Sequence, residues 1–288
     1  VETGIVEKGA NHPGEIRDLC AIAQPDAGLI TNVGKAHLEG FGSLEGVARA
    51  KGELFAYLMA SGKPLFLNEG NTLLASLVPE AYSRAERYNG AGSLRAVRKS
   101  GNPFLTLALM VSGREETVET RLLGQYNAEN VLAACCVGLH FGIPFPDIRD
   151  AIAGYTPQNN RSQLIETTRN RLYMDAYNAN PSSMRAALEE FLRLEHPRKM
   201  LVLGEMRELG DSSRQEHAAL TQYIREHFVG AVYCIGKAFA DLPEREHYNW
   251  FETADALAAS LTESLPSDYF ILIKGSRSNQ LEKIAAVL

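Results

Sequence analysis

The stretch Ile30-Thr31-Asn32-Val33-Gly34-Lys35-Ala36-His37-Leu38-Glu39-Gly40-Phe41-Gly42 decides how this chain is read, together with the helix expected after it. Leu29 to Val33 is a short, β-rich apolar run ending in Asn and Gly, the pattern of a buried strand. Open α/β sheets place ligands at the carboxyl ends of such strands, where Asn32 and His37 stand. Ser43 is a good N-cap for the next helix, which the pattern carries to Gly62. Leu44, Val47, Ala48, Phe55 and Leu58 form one apolar stripe at helical spacing. Lys51 lies on that stripe, four residues from both Val47 and Phe55. It either snorkels to water or points its amine into a site lined by Asn32 and His37.

Working outward, 288 residues suffice for two domains, and 45% hydrophobic with 22% charged residues describes a soluble globular protein. A net charge of -6 without any basic run argues against a nucleic-acid partner. Cys20, Cys135, Cys136 and Cys234 lack C-x-x-C spacing and read as reduced, partly buried thiols of a cytoplasmic protein. No run is long and apolar enough to span a membrane, and no signal-peptide pattern is seen. The chain opens without Met, almost directly on an apolar run, so further sequence is expected upstream.

The first part reads as βαβ. A strand over Ile5-Val6-Glu7 is expected, then a helix from Asn11-His12-Pro13 that turns Ile16, Leu19, Cys20 and Ala23 inward. Glu7 and Asn32 then leave the carboxyl ends of parallel neighbours. Pro64 to Asn68 is a further strand. Phe104 to Val111 alternates cleanly and pairs with Val118 to Leu122 as an antiparallel hairpin around Gly113. Gly124 to Asn130 leads into an apolar helix from Val131 to Phe141.

The polar run Gly154-Tyr155-Thr156-Pro157-Gln158-Asn159-Asn160 marks a boundary, giving domains over 1–157 and 158–288. Beyond it, strands at 164–167 and 172–175 flank a turn, and Pro181-Ser182 opens a helix to Glu195. Strand 200–203, helix 213–228, strand 231–235, helix 253–264 and strand 270–273 follow, with a last helix near Asn279. Such alternation predicts a second α/β domain built on a parallel sheet.

Several residues could carry chemistry, each with a plain structural alternative. Glu7 and His37 could hold a magnesium ion, although oxygen donors suit Mg²⁺ better and, on spacing alone, a hydrogen-bonded loop histidine is the better account of His37. Asn127 and Asn130 could read a base edge or simply cap a helix. Arg161 could clamp a phosphate or lie in solvent. Asp175 could accept from a ribose or make a turn. Lys274-Gly275-Ser276-Arg277 forms an anion-binding type of corner after a strand, without being a P-loop. His217 is open in the same way.

The runs 6–16 (Val-Glu-Lys-Gly-Ala-Asn-His-Pro-Gly-Glu-Ile), 31–43, Ala50-Lys51-Gly52-Glu53, Tyr126-Asn127-Ala128-Glu129-Asn130 and Asp175-Ala176-Tyr177-Asn178-Ala179-Asn180-Pro181 resemble the Mur ligase family. With Gly204-Glu205-Met206-Arg207-Glu208-Leu209-Gly210 and Lys274 to Arg277, the last of these runs points to the member that joins D-alanyl-D-alanine to a UDP-MurNAc-tripeptide. The resemblance covers essentially the whole chain. It implies a truncated central ATPase domain, mostly parallel sheet with an antiparallel hairpin, followed by a C-terminal Rossmann-like domain. It also implies an ATP-dependent amide-bond ligase of peptidoglycan synthesis that works as a monomer through an acyl phosphate.

Carried over by position, Glu7, His37 and Lys51 would hold Mg²⁺, with Lys51 carbamylated by CO2. Catalytic roles fall on Lys51, His37 and Arg161. The nucleotide would meet Asn32, Asn127, Asn130 and Asp175, with Arg161 at the γ-phosphate. Lys274, Ser276 and Arg277 would lie near the incoming dipeptide. Three departures stand out: these residues contain no G-x-x-x-x-G-K-[ST] motif, Lys8 replaces a usual Met, and Tyr126 replaces a usual His. The missing motif predicts that the 288 residues alone have no appreciable ligase activity. A folylpolyglutamate synthase-like ligase and a non-catalytic binding module remain as alternatives.

Overall fold

The computed structural model describes residues 3–34, 38–91, 94–100, 103–243 and 245–288. The chain divides into two compact units, one of residues 1–99, 107–118 and 128–153, the other of 100–106, 119–127 and 154–288. Among the described residues no helix is long and apolar enough to cross a membrane.

The first unit opens with helix α1 (Glu15–Ala23), strand β1 (Gly28–Leu29), and helices α2 (Leu38–Phe41) and α3 (Leu44–Ala60). Strand β2 (Leu65–Asn68), helix α4 (Thr72–Ser76) and strand β3 (Ala85–Tyr88) complete a parallel sheet in the order β1-β2-β3. Its core is Ile30, Phe55, Leu58, Leu65, Leu67 and Leu74. Gly28 lets α3 lie directly on β1, since a Cβ there would come within 2.7 Å of Leu58 Cδ1. Ser43 caps α3 as expected, its hydroxyl accepting from the Gly46 N–H at 3.1 Å. Glu53 of α3 reaches across to α1, accepting from the N–H groups of Gly14 at 2.7 Å and Arg17 at 2.9 Å. A carboxylate at a helix N-terminus satisfies donors that have no partner within the helix and complements the dipole.

The expected strand over Ile5-Val6-Glu7 does not form. Ile5 is 95% and Val6 64% exposed, and the residues from 3 to 10 carry no regular structure. A strand exists only through a hydrogen-bonding neighbour, and in the sheet β1-β2-β3 this run has none. β1 therefore pairs with β2, and the expected parallel pairing of the Glu7 and Asn32 strands is corrected. Strand β1 is also shorter than Leu29 to Val33, and Ala23 is exposed rather than inward.

Strands β4 (Arg95–Ser100), β5 (Phe104–Val111) and β6 (Arg114–Leu123) form a three-stranded sheet in that order. Ser112 and Gly113 join β5 to β6 with φ of 49° and 81°, the left-handed pair that a tight hairpin needs. β4 was not expected, because its Arg95-Ala96-Val97-Arg98-Lys99-Ser100 run carries the charge of an edge strand and no alternation. Helices α5 (Asn127–His140) and α6 (Phe145–Gly154) follow.

The second unit is built on a six-stranded sheet, β11-β10-β9-β12-β8-β7. In chain order these are β7 (Gln163–Glu166), β8 (Arg171–Asp175), α7 (Pro181–Arg193), β9 (Lys199–Gly204), α8 (Ser213–His227), β10 (Ala231–Ile235), β11 (Asn249–Phe251), α9 (Ala254–Glu263), β12 (Phe270–Lys274) and α10 (Glu282–Ala285). β7 runs antiparallel to β8 and the other neighbours are parallel. The last helix starts at Glu282, after a single 3-10 turn at Arg277–Asn279. β8, β12, β9 and β10 are near-continuous apolar runs, as strands covered on both faces must be. The register sets Lys274 beside both Asp175 and Leu203, so the carboxyl ends of β8, β12 and β9 are flush.

Candidate functional site

That flush rim gathers several of the polar residues singled out from the sequence. Lys274 closes β12 and is 1% exposed, with Nζ 2.5 Å from Asp175 Oδ2 at the end of β8. A buried ammonium requires such a partner, and the pair is supported further by the Asn178 carbonyl at 3.4 Å. The other Asp175 oxygen accepts from the Ser162 N–H at 3.2 Å.

Ser162 is also the meeting point of a row of hydroxyls. Tyr126 OH lies 2.7 Å from Ser162 Oγ and 2.7 Å from Tyr173 OH, while Asn127 Nδ2 donates to Ser162 Oγ at 3.4 Å and to the Leu123 carbonyl at 2.7 Å. Burial pushes both phenols well above the usual tyrosine range, so they stay protonated. Asn127, Ser162, Asp175 and Lys274 are thus one continuous hydrogen-bonded series. Arg161, next to Ser162, stacks its guanidinium 3.8 Å from the centre of the half-exposed Tyr177 ring, and Arg277 lies 5.7 Å from the same ring. The side chain can offer its donor fork to an anion while its flat face rests on the aromatic.

On the neighbouring strand end, buried Glu205 accepts from Arg207 at 2.8 Å and from the Ala238 N–H at 3.1 Å. Gly236, at φ 111°, makes room for it, because a Cβ there would fall 2.6 Å from that carboxyl group. Ser276 Oγ accepts from the Arg207 N–H at 3.2 Å, and Arg207 Nε donates to Ser278 Oγ at 3.2 Å. His217 of α8 is fully buried below this loop. Its Nε2 accepts from the Met206 N–H at 3.0 Å and its Nδ1 lies 2.7 Å from the Ser213 carbonyl. A carbonyl can only accept, which assigns the Nδ1–H tautomer of a neutral ring. Burial keeps this imidazole below its ordinary pKa, against the Ser213 contact, which acts the other way.

Lys51 belongs to the first unit. It is half-buried on α3 and donates from Nζ to the backbone carbonyl of Asn32 at 3.0 Å. The amine therefore points at the loop of residues 31–34, and burial lowers its pKa. Asn32 and Glu7 are exposed. His37 lies outside the described residues. Among the described residues no three His, Cys, Asp or Glu side chains cluster as a metal site. Asn130 is exposed on α5, three residues beyond Asn127.

Ser162, Tyr177, Glu205 and Arg207 also stand at this rim without having been expected there. Glu205 and Arg207 follow a strand end just as the residues after Lys274 do, and that shared position was a usable signal. Ser162 offered none, because only folding brings it to both Asn127 and Asp175.

Comparison with known proteins matches residues 1–138 to the Mur ligase middle domain. Residues 160–277 match the Mur ligase glutamate ligase domain. The UDP-N-acetylmuramoyl-tripeptide–D-alanyl-D-alanine ligase of Bacillus subtilis is 33% identical over 98% of this chain and 63% of its own length. The Escherichia coli ligase of the same name is 31% identical over 99% and 64%. A crystal structure of MurF from Acinetobacter baumannii superposes with a TM-score of 0.84 at 28% identity, covering 96% of this chain and 62% of that one. The chain spans about 63% of the length of the curated relatives it matches.

Proposed function

This chain belongs to the Mur ligase family, and on that premise we propose that it is part of an ATP-dependent amide-bond ligase joining D-alanyl-D-alanine to a UDP-MurNAc-tripeptide. The similarity to ligases of that name over nearly all of these residues supports the substrates. The observation that carries the reading is the hydrogen-bonded series from Asn127 through Ser162 and Asp175 to Lys274, with Arg161 beside it. It sets an amide, a carboxylate and a guanidinium on one rim, a donor and acceptor set suited to a nucleotide. Residues 1–157 would form the central domain and 158–288 the C-terminal one, in a monomer of the cytoplasm.

Each residue then has a task. Asn127 and Asn130 face the base, Asp175 takes a ribose hydroxyl, and Arg161 holds the γ-phosphate as charge moves toward the leaving oxygen. Lys274, Ser276 and Arg277 lie near the incoming dipeptide, whose amine attacks the activated carboxyl and releases phosphate. Lys274 acts from within its ion pair, by holding Asp175 in place. Glu7, His37 and Lys51, with Asn32 alongside, form the proposed Mg²⁺ site, and the ion would neutralise phosphate charge there. The lowered pKa of Lys51 enlarges the neutral amine fraction that can add CO2, giving a carbamate and releasing a proton.

The test is phosphate release by the protein that carries these residues, given ATP, UDP-MurNAc-tripeptide and D-alanyl-D-alanine. Turnover that needs all three is expected, and Arg161→Gln should lower it at least tenfold. Phosphate release indifferent to the dipeptide would refute the assignment.

A further inference from the structure

The proton count in the Tyr173–Tyr126–Ser162 row leaves one donor unengaged. Three hydroxyls contribute three protons, and two contacts of 2.7 Å join them, so one proton is left without a partner in the row. Tyr173 is fully buried, and among the described residues its hydroxyl has one hydrogen-bond partner, that of Tyr126. A row running from Ser162 towards Tyr173, or one in which both neighbours donate to Tyr126, would strand a phenol proton in the interior, the more costly arrangement. The row therefore runs from Tyr173 to Tyr126 to Ser162. Ser162 Oγ accepts from Tyr126 and from the Asn127 amide, and its own proton has no acceptor among the described residues.

The same residue's N–H donates to Asp175 at 3.2 Å, which ties the residue that carries this O–H to a carboxylate. A sugar hydroxyl both donates and accepts, and a serine O–H next to a carboxylate is its complement. The backbone supports the placement. Asn159, Asn160 and Ser162 all have left-handed φ, at 61°, 59° and 46°, a conformation that side-chain anchoring must hold.

We propose that Ser162 is a ribose contact, donating its hydroxyl proton to a sugar oxygen whose own proton goes to Asp175. This rests on the nucleotide reading above and adds to it a residue that selects for the sugar hydroxyls.

Binding of ATP, 2′-deoxy-ATP and 3′-deoxy-ATP is measured by calorimetry on the whole protein, for the wild type, Ser162→Ala, Ser162→Gly and Arg161→Gln. Glycine tolerates the left-handed φ, so Ser162→Gly tests the hydroxyl even if the alanine variant unfolds. The expected result is about three- to tenfold weaker ATP binding in the Ser162 variants, with no loss towards one of the deoxy nucleotides. If Arg161→Gln weakens ATP while the Ser162 variants bind all three nucleotides as the wild type does, or lose equally towards all three, the ribose contact is refuted and the nucleotide reading stands. If neither position affects ATP, both are refuted.

Discussion

Asp175 and Lys274 show how two ordinary residues become inseparable once a sheet aligns their strands. Removing one partner of such a pair leaves the other charge buried and uncompensated. Asp175→Ala, which isolates the fully buried ammonium, is expected to lower stability by about 3–5 kcal/mol in urea denaturation. Lys274→Met should be milder, since Asp175 is 15% exposed and still accepts from the Ser162 N–H. His217 gives a pH dependence of definite sign. Its pKa is lowered in the fold, so below about pH 6.5 the unfolded chain takes up the proton more readily and stability falls. The contribution is complete above that pH. Unfolding midpoints between pH 5 and 8 should show a decline on the acid side that His217→Gln reduces, because glutamine keeps an acceptor for Met206 without titrating.

The start of α7 was legible because its cap is local, whereas α4, capped just as locally by Asn71, was not read from the sequence. Asn180 accepts from the Ser183 N–H at 2.9 Å while Ser183 Oγ accepts from the Asn180 N–H at 3.1 Å, with Pro181 at the first helical position. The Asn-Pro-Ser-Ser run announces this start by itself. Asn180→Ala should cost about 1 kcal/mol, read from the denaturation midpoint at constant slope. The N-terminus of α1 is different, since its donors are satisfied by Glu53, 39 residues beyond Gly14. No local pattern contains that bond. Short edge strands were equally hidden, as at Arg95–Ser100 and Asn249–Phe251, where neither alternation nor a long apolar run appears.

At the scale of the molecule, Cys20, Cys135, Cys136 and Cys234 are all buried free thiols. Burial raises each of them, Cys135 to about 12 and Cys136 to about 11. A thiol reacts as its thiolate, so none of the four should react with a disulfide reagent within minutes in buffer, and all should in guanidinium. Rapid labelling in buffer would overturn that expectation. Residue order by itself determined most of the alternation of strands and helices, the local caps such as those of α3 and α7, the hairpin turn at Gly113 and the family resemblance, because these depend on neighbours in the chain. Tertiary structure decided what depends on distant partners. It left Ile5 to Glu7 without a strand to pair with, buried Lys274 against Asp175, and turned Ser162 from a loop residue into the junction of a hydrogen-bonded series on the strand-end rim. Hydrogen bonds and ion pairs between groups dozens of residues apart form only when the sheet sets their strands in register, and no stretch of sequence records that register.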